Sequence, residues 1–503
     1  MKRLSIYTAI LAVGLISLGS CTKEWLQVTP KGQDLEVNYY QNQDQAWKAL
    51  VAVYDVVGWT SGDYVAKVNT LDCAADDHFT GGGGANDMDK WQVMQNFTLT
   101  AAKGPAGDLW KKGFSGVFRA NILLQKIGNV PMDENMKKRY TAEAKALRAY
   151  FYFDLVRFFK NVPLFTEPVT TSEMYNVVQA KPEDVYAQIE TDLKEALNDI
   201  PQTVPVSSEG GRFTQGMVHA LLGKVYLWQE KYADAAKEFA DVNGTPGGTS
   251  KYGYKLLQNF GDLFQTPNKF NSESIFEIGY TSTSNGDWGC VACTEGNVMN
   301  IITGPRDYSA KVASAPDYVS GWSFIVITPE LYTLMKTDPR FKATIADVDS
   351  LVKVGAATYT AGYNNTGYFL EKYMGRQKYE STGGGAKPLN FPQNLYEIRL
   401  ADSYLLEAEA LLKSNGDLVR GAALLNAVRA RVGLAPVALT MDNIIRERRF
   451  ELVGEGHRFL DLVRWGLAPA VLGPRGFTTG KNEIFPIPLS ELENTKLVQN
   501  PGY

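Results

Sequence analysis

In residues 185–200 the apolar positions Val185, Ile189, Leu193, Ala196, Leu197 and Ile200 recur three and four apart, laying them along one helical face. Pro182, Glu183 and Asp184 form a favourable first turn, and Pro201 stops the helix. Residues 214–242 carry a more specific pattern. Leu222, Gly223, Tyr226, Ala235 and Phe239 fall at the spacings of a tetratricopeptide unit, where a small residue admits a second helix and bulky ones fill the groove. A further helix pair is predicted over 399–412 and 419–432, broken by Ser414-Asn415-Gly416. Others are predicted over 46–57, 107–127 and 134–159. These pairs predict a mostly α chain, a degenerate α-solenoid instead of a regular array.

Residues 243–391 have a different texture, rich in Gly, Asn, Thr, Ser and Tyr, with short strand-like runs at 275–279 and 323–327. Irregular segments this long are uncommon in compact proteins and often carry function. A second such stretch, 72–106, contains four consecutive glycines at 81–84 and reads as a mobile loop. A phosphate cradle needs a strand before the glycines and a helix opening on Lys-Ser/Thr after them; neither is legible here, which excludes a P-loop.

At the amino terminus, Lys2 and Arg3 precede an apolar run over 4–18 that ends in Gly19, Ser20 and Cys21. The run is shorter than the ~20 residues of a membrane-spanning helix and has the form of an export signal. Leu-Gly-Ser-Cys resembles a bacterial lipobox, which implies cleavage before Cys21 and a diacylglycerol on its thiol; the alternative is an ordinary secretory signal. A net charge of -4 argues against a phosphate-binding surface for nucleic acid. The remaining cysteines are Cys73, Cys290 and Cys293. A single Cys-x-x-Cys lacks the second ligand pair of a structural zinc site, leaving a local disulfide or two buried thiols. The 9 Trp and 26 Tyr exceed what packing requires and point to a surface that stacks flat ligands.

Four ordered stretches carry a family resemblance: EAKALRAYFYFDLVRFF at 143–159, RLADSYLLEAEALL at 399–412, IIRERRFELVGEGHRFLDLVRWG at 444–466 and FPIPLSELENTKLVQNPGY from Phe485. With CTKEWLQVTP from Cys21, they resemble the SusD/RagB family of Bacteroidetes outer-membrane lipoproteins. The resemblance implies four tetratricopeptide-like helix pairs with a loop-rich insertion. It assigns 1–20 to a signal peptide and 21–503 to one domain, with its scaffold at 21–242 and 392–503 and its insertion at 243–391. It also implies a lid on a SusC-like TonB-dependent transporter that captures oligosaccharide, or peptide in some members, at the outer membrane. Glu24 is a thin version of the acidic surface-export signal of such lipoproteins.

The cluster Glu455, His457, Arg458 and Asp461 has the composition of a carboxylate-oriented base, but it falls in the family's carboxyl-terminal signature, where the charges pair to fix a helix and turn. Acid pairs such as Asp76/Asp77 or Glu407/Glu409 have nothing to single them out for glycoside hydrolysis, and no nucleophile elbow or two-histidine metal helix occurs. No enzymatic activity, cofactor or metal is expected. Asp76, Asp77 and His78, followed by Asp87 and Asp89, offer too few alternating acids for a calcium loop, though a cation could sit there.

Sugar binding has better candidates, because a pyranose presents an apolar face and a rim of hydroxyls that an exposed aromatic ring beside short polar side chains can match. Trp91 follows Asn86, Asp87 and Asp89. Trp288 follows Asn285, Gly286 and Asp287, and Arg306-Asp307-Tyr308 forms a third such group. The expected ligand site is therefore Trp91, Trp288, Tyr308, Asp76, Asp77, Asn86, Asp287 and Arg306, with Tyr363 and Tyr368 as weaker candidates. Trp110, Trp228, Trp322 and Trp465 are expected in the core. A peptide ligand in a deeper cavity and a hydrolase with a paired-acid cleft are the alternatives.

Overall fold

The computed structural model describes residues 39–503; the lipobox, Cys21 and Glu24 lie outside the described residues. In chain order the longer helices are α1 (Gln43–Gly58), α2 (Lys67–Ala74), α3 (Asp89–Gln95), α4 (Ala106–Ile127), α5 (Glu134–Phe159), α6 (Pro182–Ala196), α7 (Gln215–Trp228), α8 (Tyr232–Asn243), α9 (Pro329–Met335), α10 (Leu400–Lys413), α11 (Leu418–Arg431), α12 (Met441–Glu451) and α13 (Arg458–Arg464). Side chains write their starting points. Asn42, Asp133, Thr214, Asp417 and Thr440 each accept a hydrogen bond from the backbone N–H three residues on, satisfying a donor the first turn leaves open.

Packing runs in series, from α1 to α4, α5, α6, α7, α8, α10 and α11, with α12 also against α10. This is the mostly α solenoid of helix pairs that the periodicity predicts. The tetratricopeptide spacing has its expected consequence. A Cβ on Gly223 of α7 would lie 2.8 Å from the Phe239 ring of α8, so only glycine admits this approach. The same device recurs where Gly113 and Gly116 of α4 face Leu155 and Phe151 of α5.

The insertion contributes most of the short strands: β1 (His78–Gly81), β2 (Ser274–Ile278), β3 (Arg306–Ala310), β4 (Phe324–Ile327), β5 (Ile345–Asp347), β6 (Ala357–Thr360), β7 (Tyr368–Leu370) and β8 (Leu395–Arg399). They pair antiparallel as β1–β4, β2–β8, β3–β6 and β5–β7. The β1–β4 pair ties the insertion to the amino-terminal half. Of the four glycines, read from sequence as a mobile loop, the first two serve this junction. Gly81 and Gly82 have positive φ, and Cβ atoms there would meet Ser323 O at 2.1 Å and the Phe324 ring at 2.3 Å. Gly81 and Gly82 are there for the close crossing of two segments of the chain.

A buried ionic network joins the insertion to the carboxyl-terminal helices. Arg399 lies 2.8 Å from Glu455, 2.6 Å from Glu451 and 3.1 Å from Glu273. Arg340 reaches Glu447 at 2.6 Å and Glu451 at 2.9 Å, and Lys372 reaches Glu455 at 2.7 Å. Burial alone would raise the Glu451 carboxyl, but Arg431, Arg399 and Arg340 more than reverse this and hold it well below its ordinary value. Such burial is tolerable only because nearly every charge is matched.

Candidate functional site

The enzyme-like cluster in the sequence resolves into this scaffolding. Glu455 is taken by Arg399 and Lys372, and Asp461 by Arg448 at 2.8 Å and Arg464 at 2.9 Å, so the charges pair as the carboxyl-terminal signature implies. Asp76 and Asp77, expected at the ligand site, are instead engaged by arginines. Arg458 holds Asp76 through two hydrogen bonds of 2.8 and 3.0 Å, and Arg449 donates to Asp77 at 2.8 Å. These pairs clamp the α2–β1 turn to the carboxyl-terminal helices and engage the carboxylates a cation would use.

His78, next in the chain, is buried with Nδ1 3.3 Å from the Ile325 carbonyl oxygen, and burial pushes its pKa down to about 3. In the unfolded chain the ring titrates near ~6.5. Below that pH the unfolded state takes up a proton that the folded state refuses. The His78 contribution is therefore present above pH ~6.5 and lost as pH falls toward 3, at up to about 1.4 kcal/mol per unit. Urea unfolding of wild type and His78→Gln at pH 7, 5.5 and 4.5 should show the wild type losing its lead by that slope. Parallel pH profiles would refute the assignment.

Two of the expected stacking rings are also corrected. Trp91 is fully buried at 0% exposure, because residues 89–95 form α3 instead of a loop and turn the indole against the edge of Phe324, with ring centres 4.9 Å apart. Tyr308 is buried against Tyr318, and its hydroxyl donates to the Pro316 carbonyl at 2.9 Å. Neither can present a face to a sugar.

Trp288 can. Its side chain is 53% exposed, and its ring centre lies 6.2 Å from that of Trp322, with the planes inclined by 31°. Trp322, expected in the core, is only half-buried and meets the Tyr64 ring edge-on at 5.0 Å. The three rings come from three separate segments and form an open aromatic ledge. Tyr64 stands on a tight turn in which its N–H donates to Ser61 O at 2.9 Å and the Ser61 hydroxyl accepts from the Asp63 and Val65 N–H groups. Trp322 is held through its backbone by Ile301 O at 2.8 Å, where Gly304 and Gly321 pass too close for any side chain.

A polar margin is built into the same turns. Ser323 and Ser320, on either side of Trp322, accept from the N–H groups of Arg306 and Asp307 at 2.9 and 2.8 Å. Arg306 reaches Asp87 at 3.2 Å, and both side chains keep about a third of their surface open to solvent. Asp287, exposed, accepts from the Trp288 N–H at 2.7 Å, and Asn86 is exposed on the adjoining loop. Tyr64, Met88, Asp307, Ser323 and Ile325 all adopt positive φ. Strain of this kind collects where a site must be held in one shape. Of the expected set, Trp288 and Asp287 stand on the ledge itself, and Arg306 is tied to it through its N–H bond to Ser323, the neighbour of Trp322. The structure adds Trp322 and Tyr64, which sequence reasoning missed. Gly62-Asp63-Tyr64 shows the same short-polar-then-aromatic order that singled out Trp288.

Comparison with known proteins agrees with this architecture. Residues 272–477 match the family described as "SusD family", and residues 25–227 match "Starch-binding associating with outer membrane". A solved laminarin binding SusD-like protein superposes with a TM-score of 0.89 at 50% identity, covering 92% of this chain and all of that one. Surface glycan-binding protein A from Bacteroides thetaiotaomicron, solved in complex with laminarihexaose, gives 0.81 at 28% identity, covering 91% and 99%. A SusD-like protein of Bacteroides ovatus is 27% identical over 480 residues, 91% of this chain and 82% of its own. The chain belongs to the SusD family.

Proposed function

We propose that this protein is a cell-surface glycan-binding lipoprotein whose ligand is a laminarin-type glucan, captured on the Trp288–Trp322–Tyr64 ledge. The observation that carries this reading is the exposed Trp288 face, packed beside Trp322 and next to Asp287, with Arg306 tied to the same place through its N–H bond to Ser323. Inclined rings offer successive apolar platforms to successive sugars, and the polar border supplies hydroxyl partners. The laminarin-binding relative supports the ligand class. In this reading the insertion at 243–391 rides on the helical scaffold as part of one domain. Cys21 carries the lipid anchor, and the protein closes over a SusC-like TonB-dependent transporter to which it hands its oligosaccharide. Tethering beside the barrel raises effective concentration and compensates for modest affinity.

Binding without catalysis fits the chemistry, since Asp76, Asp77, Glu455 and Asp461 are each held by arginine or lysine. An open ledge also suits a sugar chain better than a peptide that must be enclosed. Calorimetric titration with laminarihexaose, cellohexaose and a mixed peptide pool tests the reading. Laminarihexaose should bind with a micromolar to millimolar constant, about 4 to 8 kcal/mol, and no new reducing ends should form. Binding of peptide alone, or hydrolysis of the glucan, would overturn it.

A further inference from the structure

Cys290 and Cys293 form a disulfide three residues apart, two positions beyond Trp288. A bridge this short closes so small a loop that it takes little entropy from the unfolded chain as a whole. Its effect must be local, and the local structure indicates where it acts. The neck of the segment is well anchored. Thr281 N–H donates to Glu295 O at 2.8 Å, and Gly286 O accepts from Asn390 Nδ2 and Ala386 N–H, both at 3.0 Å.

The tip is different. Asp287, Trp288, Gly289, Cys290 and Cys293 are exposed, and between the two cysteines Val291 alone of the described side chains is buried in the core. Backbone bonds at the tip stay within the turn: Cys290 N–H to Asp287 O, Cys293 N–H to Cys290 O and Thr294 N–H to Val291 O. Among the described residues the Trp288 indole meets one other aromatic ring, that of Trp322. An exposed tip with two glycines close by would otherwise sample many shapes, and a ligand stacking on Trp288 would have to order it.

We propose that the Cys290–Cys293 disulfide is a positioning device that braces the exposed tip against its Val291 anchor in its ligand-ready shape, so that Trp288 lies against Trp322 before any sugar arrives. Cys290 and Cys293 are thus positioning residues that act through Trp288. The inference rests on the glycan-binding reading of the ledge.

The test compares the wild type, the double variant Cys290→Ser/Cys293→Ser and Trp288→Ala, with laminarihexaose as probe. The serine variant should bind about 5- to 20-fold more weakly, the scale expected when a few loop residues must be ordered on binding. Its melting temperature should stay within about 2 °C of the parent, since the bridge spans so short a loop. Amide exchange over 284–294 should be faster in the free variant and equal in the two saturated proteins. Unchanged affinity would overturn the proposal. So would a weaker affinity accompanied by a melting temperature several degrees lower, which would make the bridge a general staple of the fold. Trp288→Ala separates the two levels. If it binds as well as wild type, the glycan reading of the ledge falls. If it loses binding while the serine variant does not, only the positioning role falls.

Discussion

Arg399→Leu destabilises the folded chain by about 3–5 kcal/mol, read as a lower urea midpoint at unchanged slope. Arg399 is fully buried at the end of β8, just before α10, and its guanidinium reaches three glutamates at once. It donates to Glu455 at 2.8 and 2.9 Å, to Glu451 at 2.6 Å, to Glu273 at 3.1 Å and to the Glu451 carbonyl at 2.8 Å. Leucine fills part of the volume but leaves Glu451 and Glu455 with one cation fewer in the interior. That uncompensated charge is the origin of the cost. An exposed pair supplies the contrast: Lys194, over half exposed beside Glu190, should lose under about 1 kcal/mol on replacement by alanine. A loss below 1 kcal/mol at Arg399 would mean that Arg340, Arg431 and Lys372 suffice without it.

Trp288→Ala and Trp322→Ala should each weaken laminarihexaose binding by about 30-fold, the ~2 kcal/mol expected of an aromatic anchor at the centre of a contact. Trp288 supplies the open face, and Trp322, half-buried beside it, packs against it. The two share one contact, so their effects should not add: the double variant should fall short of the product of the singles. Folding should be little affected at Trp288, which is more than half exposed. Trp91→Ala is the informative opposite. It empties a core position and should cost about 3–5 kcal/mol of stability, reaching the ledge only through its packing on Phe324. Should Trp91→Ala abolish binding at full stability while Trp288→Ala does nothing, the ledge has been placed on the wrong ring.

The helical frame was legible because long amphipathic stretches need only periodicity to be read. The predicted helix at 134–159 coincides with α5, and Gly223 and Phe239 made the α7–α8 contact visible in advance. The site was legible only in part, for a specific reason. The rule that a ring beside short polar residues faces solvent holds for Trp288, which lies in an irregular segment, and fails for Trp91. There seven residues wind into α3 and rotate the indole inward. A helix that short leaves too little periodicity to detect. Trp322 misled in the other direction, since the apolar strand Phe324–Ile327 just after it suggested a packed element. The positive φ at Ser323 separates the ring from the strand that follows. Asp76 and Asp77 could not be placed from sequence, because their arginine partners lie more than 370 residues further along the chain.

A crystal structure of the protein with laminarihexaose tests the central claim most directly. The account predicts sugar rings against Trp288 and Trp322, with hydroxyls within hydrogen-bond reach of Arg306, Asp87 or Asp287. Ordered sugar elsewhere on the molecule, with the Trp288 face left bare, would contradict it.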